Sequence, residues 1–172
     1  MAQLQLYQPV DTDDRRTRQR IMDFINSDPS CGDRTNLSGH LTASAWIIDR
    51  DHTSALLTHH RKLDIWIQCG GHADGELDLL RVASREAREE TGLVSLESLS
   101  PAIFDVDVHT IPANGTEPRH FHYDVRYLFQ AEKTEPLTCS EESQQLAWIS
   151  LEEIAHYYSE RSLLRMVEKT PR

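Results

Sequence analysis

Cysteine is scarce in this chain. Cys31, Cys69 and Cys139 are odd in number, widely spaced and form no Cys-x-x-Cys pair. That pattern argues against a disulfide framework and against structural zinc. Long apolar runs are lacking too. No segment approaches the roughly 20 apolar residues of a membrane-spanning helix, and the opening MAQLQLYQPVDTDDRRTRQR has no stretch resembling a secretory signal. The expected location is the cytoplasm, with no membrane partner. Positive charge is also short: 18 Lys and Arg stand against 28 Asp and Glu, a net charge of −10. This balance argues against a surface for polymeric nucleic acid. A phosphate-bearing ligand would have to be met locally, by metal ions and a few placed cations. There is no internal repeat and no low-complexity segment. The 172 residues suit one domain over 1–172, enough to bury roughly 70% of the unfolded surface.

The pattern along the chain alternates between strand-like and helix-like segments. Asp11 to Asn26 is expected to be helical, with Ile21, Phe24 and Ile25 on an inner stripe. Leu41 to Ile48, Ser54 to Thr58 and Ile65 to Ile67 read as strands, the last two around a basic turn His59-His60-Arg61-Lys62. A loop from Gly70 to Asp78 leads to a helix from about Leu79 to Glu90, capped by Asp78 and closed by Gly92. Leu79, Leu80, Ala83 and Ala87 form its apolar stripe. Pro101 to Ile111 and His120 to Gln130 read as a hairpin around Pro112-Ala113-Asn114-Gly115. Leu146 to Ile149 is a short strand, Ser150 to Glu153 a capping box opening a helix, and Arg161 to Glu168 another helix. Strands flanking one helix and followed by others make an α/β domain the simplest packing.

The richest stretch is Arg85-Glu86-Ala87-Arg88-Glu89-Glu90-Thr91-Gly92-Leu93. A helix projects Glu86, Glu89 and Glu90 from one face, because they lie at i, i+3 and i+4. Three like charges so close repel, and a divalent cation preferring hard oxygen ligands is the natural compensator. The double glycine Gly70-Gly71 upstream lets backbone approach the same place. A solvated, charged helix face is the plainer alternative.

This stretch resembles the Nudix box: Gly, five residues, Glu, seven residues, then Arg-Glu-apolar-x-Glu-Glu-x-Gly-apolar. Arg85 to Leu93 match the second half at every specified position, and Gly71 matches the first glycine. One specified position departs, since Leu77 stands where the first glutamate belongs and Glu76 falls one place early. The loop looks similar to a Gly-Gly-His variant found among bacterial Nudix hydrolases. The resemblance implies an α/β/α sandwich around a mixed sheet. It implies Mg²⁺ or Mn²⁺ held by Glu86, Glu89, Glu90 and the Gly70 carbonyl, with Arg85 bracing a carboxylate. A further glutamate often comes from the loop before the last strand; Glu142 is favoured over Glu141 as ligand or general base. Glu89 and Glu142 are the candidates for the base.

Outside the box, His120, His122 and Asp124 alternate along a strand and share one face, with Asp105, Asp107 and His109 placed to face them. They form a substrate-contacting or second metal-binding patch, or else the polar side of a half-exposed sheet. His72, Trp66 and Gln68 are further candidates for substrate contact, and His40, Thr42 and Ser44 for lining the same cavity. Arg61 and Lys62 suit phosphate contact or a solvated turn.

The implied reaction is metal-dependent hydrolysis of a phosphoanhydride in a nucleoside diphosphate linked to another group, a small soluble molecule. A nucleotide-binding regulator on the same fold, a metalloprotein built on His120, His122 and Asp124, and an isomerase acting on a diphosphate are the competing expectations. A homodimer is common in the family.

Overall fold

The computed structural model describes residues 2–115, 117–141, 143–157, 159 and 161–171. In chain order the elements are α1 (Ala2–Leu6), α2 (Thr12–Ser27), β1 (Gly39–Asp49), β2 (Ser54–His60), β3 (Ile65–Ile67), β4 (Cys69–His72) and α3 (Leu79–Thr91). They continue with β5 (Glu97–Ser98), β6 (Asp105–Ile111), β7 (His120–Ala131), β8 (Ser143–Ser150), α4 (Ile154–Tyr157) and α5 (Arg161–Lys169). The strands form one mixed sheet. β1 runs parallel to β7 along its whole length, from Gly39 beside Phe121 to Asp49 beside Ala131. Its other edge is shared, β4 pairing with Thr42–Ala45 and β2 with Ile47 and Ile48, both antiparallel. β8 lies against β2, and β6 against the first half of β7.

Period-two alternation divides the residues of β1 and β7 between two faces. On one face Leu41, Ala43, Ala45, Ile47, Tyr123, Val125, Tyr127 and Phe129 pack with Ile21 of α2 and with Val82, Ala83 and Ala87 of α3. On the other, Trp46, Ile48 and Leu128 pack with Ile154 of α4 and with Leu163 and Met166 of α5. Helices thus cover both faces, giving the expected α/β/α arrangement. The second cover stops short, and the half of that face carrying His40, Thr42, Ser44, His122 and Asp124 is left to polar side chains.

Several boundaries differ from expectation. Gly70 is not in a loop: Cys69 to His72 form β4, and the loop proper begins at Ala73. Local sequence disfavours a strand rich in glycine; pairing to β1 overrides it. The hairpin strand starts at Asp105 rather than Pro101, and His59 and His60 belong to β2. Ser150 caps a turn rather than a helix, taking the Glu152 and Glu153 amides on its Oγ and carbonyl, so α4 starts only at Ile154. Val82, rather than Leu79 or Leu80, is fully buried on α3. Asp78 does cap α3 through the Arg81 amide, and Gly92 ends it in the left-handed conformation at φ 74°.

Candidate functional site

β4 and α3 meet edge to side. The Ala73 amide bonds to Leu41, and Gly71 and Cys69 stand opposite Ala43 and Ala45. Alternation then turns the Gly70 N–H away from β1, where it donates to Glu90 Oε1 at 2.8 Å. In an extended strand the N–H and C=O of one residue share an edge, so the Gly70 carbonyl faces α3 as well. Glu86 lies over Gly71 so closely that a Cβ there would fall 2.3 Å from its Oε2. Glycine is required at this position for the carboxylate to reach the strand. Arg85 donates to Glu86 Oε1 at 2.6 Å and to the His72 carbonyl at 3.5 Å, and stands 3.9 Å from Glu89. It is therefore the fixed counter-ion of this carboxylate group, as its planar fork suits. Glu89 is the most exposed of the three, with 63% of its side chain accessible. Burial and the neighbouring Glu90 push the Cys69 thiol up, so it stays protonated. Three carboxylates and a carbonyl are hard oxygen donors, a set that fits Mg²⁺ or Mn²⁺.

The loop that carries Leu77 is organised without the first glutamate. Leu77 is 68% exposed. Arg34 grips Asp74 with two hydrogen bonds of 2.5 and 2.6 Å, the Gly75 amide donates to Gly32, and Glu76 takes the Asp78 amide. Arg34 escaped the sequence reading because it lies 40 residues from its partner. Its charge acts electrostatically on Glu86 and His72, positive charge that the acidic composition concealed.

The polar half-face holds most of the remaining candidates. His72 on β4 sits opposite Thr42, and His122 on β7 opposite His40, so three strands present imidazoles to one point. The His40 ring centroid is 4.9 Å from that of His72 and 4.8 Å from that of His122. One nitrogen from each ring, taken together, lies within 4.8 Å of the other two. Among the described residues, neither ring nitrogen of His40 nor Nε2 of His122 has a hydrogen-bond partner although all are buried. The Asn36 carbonyl is close enough to His40 to raise its proton affinity but does not form a hydrogen bond of good geometry. Burial dominates: it pulls His40 down, pulls His72 down to about 4 with help from Arg34, and pulls His122 down to about 2 with help from His109 and His72. These rings are neutral at pH 7.

His120 and Asp124 do other work. His120 Nδ1 lies 2.9 Å from the Pro118 carbonyl. Asp124, 1% exposed, accepts from Thr42, Ser44 and Arg126 at 3.0, 2.8 and 2.7 Å. Arg126 is the residue that the strand pattern failed to single out. Only 2% exposed, it is surrounded by Asp124, Asp105 and Asp107, and Arg165 and Lys169 of α5 complete the neutralisation of Asp105. The facing carboxylates thus form a braced ion network. Trp66 stacks on His59 with centroids 5.1 Å apart, and Gln68 donates to Ser44 at 3.5 Å, both half-buried. Arg61 does not point freely to solvent: it donates to the Glu141 and Ser143 carbonyls and ties down the entry to β8. Glu142 lies outside the described residues.

The NUDIX domain model matches residues 39–168. The chain belongs to the Nudix family. An Ap4A hydrolase from C. elegans, solved as a binary complex, superposes at a TM-score of 0.61 with 19% identity over 75% of this chain and 93% of that one. A NUDIX-family hydrolase from Clostridium perfringens gives 0.56 with 25% identity, covering 76% and 95%. The NUDIX domain of Shewanella oneidensis NrtR, complexed with ADP ribose, gives 0.55 with 16% identity, covering 86% and 94%. Comparison with curated protein sequences gives no match. Among the described residues, no helix is long and apolar enough to cross a membrane.

Proposed function

We propose that this Nudix protein is a divalent-metal-dependent hydrolase cleaving a phosphoanhydride in a nucleoside diphosphate linked to a second group. The observation that carries this is the placement of Glu90 on the outward N–H of Gly70 and of Glu86 over Gly71, with Glu89 one turn of α3 from Glu86 and beside Arg85. Glu86, Glu89, Glu90 and the Gly70 carbonyl would hold Mg²⁺ or Mn²⁺. Bound there, the ion would neutralise diphosphate charge and lower the pKa of a coordinated water. Glu89, open to solvent and held only at 3.9 Å by Arg85, is suited to accept a proton from the attacking water. Glu142, outside the described residues, is the alternative base. Arg85 positions Glu86 and Glu89, and Arg34 adds charge for the diphosphate. The base or sugar would lie over the polar half-face, between Trp66 and Gln68 on one side and His72, His120 and His122 on the other. The solved relatives named above include an Ap4A hydrolase and a domain bound to ADP ribose, in keeping with small nucleotides.

Phosphate release with Mg²⁺ or Mn²⁺ should be measured over a panel of nucleotides with product identification. Glu89→Gln should lower turnover by about 100-fold or more, the usual scale for a general base, with an unchanged melting temperature. Near-normal turnover in that variant removes Glu89 from the role. Absence of release by the unmodified chain over the whole panel would leave a nucleotide-binding protein without hydrolysis.

A further inference from the structure

We infer that His40, His72 and His122 form a second metal site, specific for a borderline transition ion such as Zn²⁺ and separate from the glutamate site. The three rings come from β1, β4 and β7 and converge with a donor nitrogen each inside a 4.8 Å span. Bound tetrahedral Zn²⁺ needs Zn–N distances of about 2.0–2.1 Å, hence nitrogens roughly 3.3 Å apart. An inward swing of about 1 Å by the wider-set rings would close that gap.

A buried polar group without a hydrogen bond is costly, and native structures almost always satisfy it. Here both nitrogens of His40, a residue 3% exposed, and Nε2 of His122 lack partners among the described residues. A metal would satisfy one nitrogen of each ring. His40 would then turn its other N–H toward the Asn36 carbonyl, the outer hydrogen bond that metal-ligating histidines characteristically make.

The chemistry of the donors selects the ion. Carboxylates are withdrawn from the set: Asp124 is held by Thr42, Ser44 and Arg126, and Asp107 by His109 and Arg126. The site is all imidazole, which suits Zn²⁺ and its neighbours and is poor for Mg²⁺. Three protein ligands leave a fourth position, and His72 and His122 are only half-buried, so water or an anionic oxygen can reach it. The glutamate site lies around the edge of β4, where the His72 carbonyl faces Arg85. One strand therefore divides a hard oxygen site from a nitrogen site. The second site does not depend on the first being hydrolytic.

The test uses the full chain, stripped with chelator and titrated with Zn²⁺ against a chromophoric competitor, then with Co²⁺ followed by visible absorption. One equivalent of Zn²⁺ is expected, undisturbed by millimolar Mg²⁺, with intense Co²⁺ bands of tetrahedral type. His72→Ala and His122→Ala should each weaken Zn²⁺ binding by about 100-fold or more, at or beyond the loss from outer-shell changes. The half-buried His72 serves if the other variant fails to fold, with thermal melting as the check. His120→Ala and the double variant Glu86→Gln with Glu89→Gln should keep Zn²⁺ affinity. Failure to bind an equivalent of Zn²⁺, or affinity that survives the histidine changes and falls with the glutamate changes, overturns the inference.

Discussion

Two adjacent glycines have opposite reasons to be glycine. At Gly71 the three atoms nearest an added Cβ all belong to the flexible Glu86 side chain, Oε2 first and Cγ at 3.0 Å. At Gly70 it meets Ser44 Oγ and also backbone, the Ala43 carbonyl and Ser44 Cα, both at 2.8 Å. A flexible carboxylate can step aside, whereas a paired strand cannot without losing its ladder. Gly71→Ala should therefore leave the melting temperature within about 3 °C while raising the Mg²⁺ concentration for half-maximal activity about 10-fold or more. Gly70→Ala should instead destabilise by about 2 kcal/mol, in the range of overpacking. Titrating activity with metal and melting both variants separates the two; equal melting temperatures would contradict the distinction. The sequence displayed these residues through motif spacing alone. It could not show that Leu77 is exposed, nor that Arg34 organises the same loop by gripping Asp74, because that pairing is made through space.

At the scale of the element, β7 shows both what alternation reveals and what it conceals. Period two correctly put His122 and Asp124 on one face with Asp107 and His109 opposite. The same rule carries Arg126 onto that face, where charge converts a patch of carboxylates into a closed ion network. Alternation gives direction but not which partner a side chain chooses, and α5, which brings Arg165 and Lys169 to Asp105, is far away in sequence. Removing one member of a buried charge group strands the rest, typically at a cost of 3–5 kcal/mol. Arg126→Met should cost about that much in urea unfolding at pH 7, and Arg126→Lys should recover only part, lacking the planar fork. A loss below about 1 kcal/mol would mean that the three carboxylates do not rely on it. The strand β4 was illegible for a related reason. Its Cys-Gly-Gly-His sequence has no strand propensity of its own and takes its form from β1.

For the molecule as a whole, this network and the imidazoles of the polar half-face together set the response to acid. Burial alone would raise the Asp107 pKa, but the His109 hydrogen bond and Arg126 outweigh it and hold it down to about 2, with Arg165 contributing. Asp105 is lowered as well, against its burial, by Arg165, Arg126 and Lys169. An unfolded aspartate titrates near 3.9. As pH falls below that value the unfolded chain takes up protons first, so the stabilisation is complete above about pH 5 and is lost between about 4 and 2. Unfolding free energies at pH 7, 5, 4 and 3 should fall first between 7 and 5, where unfolded histidines take up protons that His40, His72 and His122 in the fold do not. They should fall again below 4 as the contribution of the aspartates is lost. Asp107→Asn should be less stable at pH 7 and show a shallower drop, and an unchanged pH profile would remove Asp107 from the effect. Fold class and the helix that bears the glutamates were legible in the chain because both depend on local periodicity. The polar half-face was legible only strand by strand, since its assembly depends on which strands become neighbours.

The parallel ladder between β1 and β7 joins residues 82 positions apart, as Thr42 and Asp124 show. Contacts of such long range are slow to form, because a large loop must close before any pairing rewards it. The β6–β7 hairpin needs no such closure and can form within microseconds. His122 is thus set in its strand early, whereas His40 joins it only when the ladder zips. During synthesis, β1 has to wait unpaired on that edge until β7 has left the ribosome, which makes this half-face among the last parts of the molecule to mature.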